Sequence, residues 1–194
     1  MLRKFIVLGL FLSTLAAETL ILRNEIVIDK AADKIAEMTS ELEAKTGVKV
    51  YLSAIQKLDA AETLGAFHSK IEENLTAPYV LVSFSAGDQK IKCTRSADLA
   101  KIIDCDDAVD DYILPIITEY RKDISKQTQY SAGLLNGIAH ICDTIAAAKG
   151  VQLLSSIGSE SKNFYNGLVT IVLIMAALTI FALFWARNRD KGGK

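Results

Sequence analysis

Twenty consecutive residues, GLVTIVLIMAALTIFALFWA at 167–186, carry no charge. At about 1.5 Å per residue a helix of that length covers the ~30 Å hydrocarbon core of a bilayer, so a transmembrane helix is expected here. The residues behind it, RNRDKGGK at 187–194, hold four basic side chains against one acidic, a net of +3. Basic flanks stay on the cytoplasmic side, which puts this tail in the cytoplasm and Trp185 at the membrane interface.

The other end reads MLRKFIVLGLFLSTLAA, with Arg3 and Lys4 at its start, an apolar run from Phe5 to Leu12 and small residues at Ala16 and Ala17. This is the layout of a secretory signal at 1–17, cleaved after Ala16 or Ala17. A retained anchor is the alternative, although the run is shorter than the ~20 residues that span a bilayer. The two ends together predict a domain at 18–150 on the periplasmic side of the inner membrane, a Ser-rich tether at 151–166 and a single membrane pass. Residues 18–166 hold 16 basic and 22 acidic side chains, a net of -6, which argues against nucleic acid or an anionic lipid surface as partner.

Within the domain, Ala31, Ile35, Met38 and Leu42 form a stripe at helical spacing that predicts an amphipathic helix ending at Gly47. The β-branched and aromatic run VKVYLSAI at 48–55 predicts a buried strand. Leu64, Phe67, Ile71 and Leu75 predict a second helix over 59–75, and PYVLVSFS, AGDQ and KIKCTRS predict a β-hairpin over 79–95. Two helices follow, around 106–125 and 129–148, the second stopped at Gly150. The fold class expected from this order is α/β, a small layered domain with a central mixed β-sheet covered by helices.

Cys93, Cys105 and Cys142 allow at most one intramolecular disulfide. An oxidising compartment permits a Cys93–Cys105 bridge; otherwise all three serve as small buried apolar residues.

The chain holds no GxSxG elbow, P-loop, GxGxxG or CxxC. His68 and His140 have no neighbouring His or Cys at zinc spacing. Asn136, His140 and Asp143 share one side of the last helix and read as a solvated face, while Gly133 and Gly137 read as a site of close helix packing. Asn74-Leu75-Thr76, with Glu72 two places ahead, has the pattern of a bacterial N-glycosylation acceptor.

The stretch KIIDCDDAVDDYILP at 101–115 places Asp104, Asp106, Asp107, Asp110 and Asp111 within eight positions. Asp104 or Asp106 as a helix cap, with carboxylates in the first turn, accounts for the leading residues. The i, i+4 pairs 106/110 and 107/111 repel. A hard cation, calcium or magnesium, held by Asp106, Asp107, Asp110 and Asp111 would remove that repulsion, although the run lacks the ligand order of an EF-hand.

The segment 115–150 resembles the end of a TPM domain, a family whose pattern there is a proline, a spacer with a tyrosine and a small-residue helix. Pro115, Tyr130, Gly133, Leu134, Gly137, Ile138 and Ile141 carry the resemblance, as do the upstream element order and the layout of signal, exported domain and C-terminal anchor. At 95–101 this chain reads RSADLAK, with Asp98 and Leu99 where many members have a Gly-Tyr-Gly-Leu-Glu turn. The resemblance implies an interaction, assembly or maintenance factor for membrane protein complexes. For some relatives it also implies a cation-dependent phosphatase activity, which is the alternative.

Overall fold

The computed structural model describes residues 20–157. The expected signal at 1–17, the expected transmembrane helix at 167–186 and the basic tail at 187–194 lie outside the described residues; among those described, no helix is long and apolar enough to cross a membrane. The architecture is α/β: a four-stranded mixed sheet in the order β1-β2-β3-β4, with helices on both faces. The strands are β1 Ile21–Asn24, β2 Lys49–Ile55, β3 Tyr79–Ser85 and β4 Lys90–Arg95. β1, β2 and β3 are parallel and β4 returns antiparallel to β3 through a turn at 86–89.

Alternation within β2 and β3 explains why the sheet has two covered faces. Val50, Leu52, Ala54, Val80, Val82 and Phe84 project into the main core, where α1 (Asp29–Thr46) and α5 (Lys126–Ala148) lie. Tyr51, Ile55 and Leu81 project the other way, towards the layer of α2 (Leu64–Glu72). The predicted stripe of α1 is buried, and the helix ends where Gly47 adopts a φ of 73° and donates its N–H to Glu43 O. Thr63 caps α2 through Ala66 N. Because β1, β2 and β3 follow one another across the sheet while α1 and α2 occupy opposite faces, one of these two crossovers is left-handed, against a strong general preference.

Three expectations are corrected. Residues 21–24, where the sequence pattern predicts no element, form β1, an edge strand paired with β2. The second helix is confined to Leu64–Glu72, with 73–74 in a turn and 75 outside any helix. The helix expected over 106–125 consists of α3 (Cys105–Asp107), a π-helical turn (Ala108–Ile113) and α4 (Leu114–Thr118), after which Glu119 leaves the helix with ψ 136°. Pro115 supplies the reason for the π turn: it has no N–H and its ring crowds the carbonyl four residues back, so the helix widens just upstream and Leu114 N bonds Val109 O instead.

Gly133 and Gly137 on α5 let this broken helix come close. A Cβ at Gly137 would overlap the Ile113 side chain, and one at Gly133 would overlap Ile117. The disulfide Cys93–Cys105, with Cα atoms 5.5 Å apart, ties the start of α3 to β4. Cys142 is a buried free thiol whose pKa burial pushes up.

Candidate functional site

The aspartate run occupies the start of α3 and the π turn. Asp104 caps α3 by accepting from Asp106 N at 3.0 Å, and Asp106, Asp107, Asp110 and Asp111 are all exposed. The fold brings this run against the α5 face that bears Asn136, His140 and Asp143. Asn136 Nδ2 donates to Tyr112 O at 2.9 Å, and the Tyr112 and His140 rings stack with centroids 3.5 Å apart. Burial lowers the His140 pKa, opposed by the charges of Asp107, Asp143 and Asp111. Asp107 and Asp111 are thus the members of the run whose charge reaches His140. Asp143 Oδ2 accepts from Ser156 Oγ at 2.7 Å. Among the described residues no three His, Cys, Asp or Glu side chains form a group that could hold a metal ion.

His68 has a different role. It is wholly buried beneath α2, with Nδ1 2.8 Å from Ser83 Oγ and Nε2 2.8 Å from Thr94 Oγ1. Burial, reinforced by the Lys92 charge and opposed by Glu72, lowers its pKa to about 4. It is a neutral link between α2 and two strands. On β2, beside Ser83 of β3, Ser53 Oγ is buried with no hydrogen-bond partner among the described residues.

A concave surface lies elsewhere. A groove of about 870 Å³ runs between the N-terminal halves of α1 and α5. Its apolar lining is Ile28, Ala31, Ala132, Leu135 and Ile157, and its charged lining, Lys30, Asp33, Lys34 and Glu37, is balanced in sign. Lys34 pairs with Glu37 at 3.1 Å, and Ser131 Oγ joins the two helices by accepting from Ile28 N at 3.0 Å. The chain itself leads into this groove. After α5, Val151 N bonds Ala146 O, Leu153 is buried, Ser155 and Ser156 reach Glu41 and Asp143, and Ile157 forms part of the lining. The opening residues of the segment assigned to a tether are therefore docked on α1 and α5. No pattern in the sequence marks the groove; its one local signal is Leu135, an apolar residue off the core stripe Leu134, Ile138, Ile141 and Ile145.

No protein-family profile matches this chain, and no curated protein does. Solved structures do. The N-terminal domain of a protein from P. gingivalis, determined by solution NMR, is similar with a TM-score of 0.51 at 9% identity, covering 63% of this chain and 78% of that one. The BA42 protein from the psychrophilic bacterium Bizionia argentinensis, also an NMR structure, aligns with a TM-score of 0.45 at 16% identity over 69% of this chain and 95% of that one. At such identities the first likeness shows a shared small-domain fold.

Proposed function

We propose that the chain is a membrane-anchored, periplasmic TPM-like domain that serves as an interaction, assembly or maintenance factor for a membrane protein complex. The observation that carries this reading is the α1–α5 groove and its place in the chain. Ile157 lines the groove, and only nine residues separate it from the apolar segment at 167. Nine extended residues reach about 30 Å, so an anchored chain keeps the groove close to the bilayer. An apolar lining with charges of both signs suits an amphipathic segment of a membrane-embedded partner. The element order, with the helix broken at Pro115 packed through Ile113 and Ile117 against Gly137 and Gly133, supports the TPM resemblance.

Crosslinking the full chain in membranes through lysines, followed by identification of the partner, tests this reading. The expected product links one integral membrane protein through Lys30 or Lys34; crosslinks confined to Lys70 on α2 would overturn it.

The second reading is a divalent-cation-dependent phosphatase, favoured by the proximity of Asp107 and Asp111 to His140. A cation would draw those two aspartates together and activate a water for attack on a phosphate ester. Phosphate release that requires calcium or magnesium and is lost in Asp107→Asn and Asp111→Asn would establish it in place of a purely interactive role.

A further inference from the structure

We propose that Asn74 is an N-glycosylation site, modified by an oligosaccharyltransferase of the bacterial kind that requires an acidic residue two places before the asparagine. The inference rests on export of the domain and is otherwise independent of what the groove binds.

The pentapeptide Glu72-Glu73-Asn74-Leu75-Thr76 meets that requirement, and neither intervening position is proline. Of the six asparagines in the chain, Asn74 alone is followed two places later by Ser or Thr. The structure puts this sequence where an enzyme can take it. Asn74 and Thr76 are exposed, in the turns that follow α2. Three hydrogen bonds hold the asparagine in its folded turn: Asn74 N to Ile71 O at 3.1 Å, Leu75 N to Glu72 O at 3.0 Å, and Asn74 Nδ2 to Lys70 O at 2.9 Å. None belongs to the sheet, so straightening the acceptor frays one helix end and leaves the strands paired. The same fraying frees the Glu72 carboxylate from the Tyr79 hydroxyl, which donates to it at 2.9 Å.

In the reaction Asn74 Nδ2 forms a bond to the anomeric carbon of a polyprenyl-diphosphate-linked glycan. The bond from that carbon to the diphosphate oxygen breaks, polyprenyl diphosphate departs, and the amide loses one proton. The glycan would stand on the α2 layer, on the face of the sheet opposite the groove. It would shield that layer from contact and leave the α1–α5 face bare.

The test expresses the full chain in bacteria with and without such a transferase and its lipid-linked glycan. Protease accessibility of the domain in spheroplasts checks export in the same cells. Trypsin releases residues 71–90 as one peptide, and the expected result is a glycan-sized mass increment on it, absent without the transferase. The increment should vanish in Asn74→Gln, Thr76→Ala and Glu72→Gln and persist in Thr76→Ser. An unmodified peptide from an exported chain, in cells that glycosylate a reporter bearing the same pentapeptide in a loop, would overturn the proposal. Full modification of Glu72→Gln would equally overturn it, because the acidic residue would then play no part.

Discussion

Ser155 gives both its backbone N–H, at 2.8 Å, and its hydroxyl to the carboxylate of Glu41, fastening the segment after α5 to the middle of α1. Leu154 N adds a bond at 2.9 Å and Lys45 an ion pair at 2.6 Å. Burial works to raise the Glu41 pKa, but Lys45, Ser155 and Leu154 together hold it at about 2, against the usual 4.5. A carboxyl depressed in the fold stabilises above its unfolded pKa, and that contribution is lost as pH falls from about 4.5 through about 2. Glu41→Gln is expected to cost about 1–3 kcal/mol near neutral pH. Proteolysis at 151–157 should accelerate in the variant, and its stability loss should shrink below pH 4.5; a variant as resistant as the parent would refute the latch.

Gly137 is where α5 lies against Ile113. Gly137→Ala should destabilise by about 1–3 kcal/mol in urea unfolding, because the added methyl meets the Ile113 side chain in a filled interior. Ala132→Ser, at an exposed position on the same helix, is the control and should stay within about 0.5 kcal/mol.

The Cys93–Cys105 disulfide closes a short loop, with a sequence separation of 12. Loop-closure entropy gives it about 2–3 kcal/mol. Urea unfolding with and without a thiol reductant should show a loss of that size, and the variant with both cysteines changed to alanine should no longer respond to reductant.

His68 titrates against the fold. Its pKa, lowered by burial to about 4 from the usual 6.5, means the unfolded chain takes up a proton that the folded chain refuses between those values. The His68 contribution is whole above pH 6.5 and declines as pH falls through about 4. Thermal unfolding followed from pH 7 to pH 4 should therefore show a slope that flattens in His68→Asn. The His68 ring resonances should not shift until the pH is well below 6; a midpoint near 6.5 would contradict its burial.

Apolar runs and helical spacing made α1, β2, β3 and α5 legible in the sequence, since each buries the residues its pattern marks, while β4, with no buried residue, was legible from the turn that leads into it. β1 was not legible because Ile-Leu-Arg-Asn has no alternation of its own; pairing of Arg23 with Ser53 and Asn24 with Ala54 makes it a strand. The π turn escaped for a similar reason, since it reconciles Pro115 with the close approach of Gly137. The aspartates and the His140 face were each visible as patterns. Their meeting across Tyr112 was not, because it depends on how α5 packs. The groove arises from two helices far apart in sequence, so neither half announced it.

Under the function proposed above, the α1–α5 face receives a membrane-embedded partner. A photoreactive amino acid placed at Ala132, exposed within the groove, or at Ala66, exposed on α2, tests it in the full chain in its native membrane. Position 132 should form a discrete adduct with one integral membrane protein, Leu135→Asp should abolish it, and position 66 should form none. An adduct from position 66 alone, or one from position 132 that survives Leu135→Asp unchanged, would rule out this docking face.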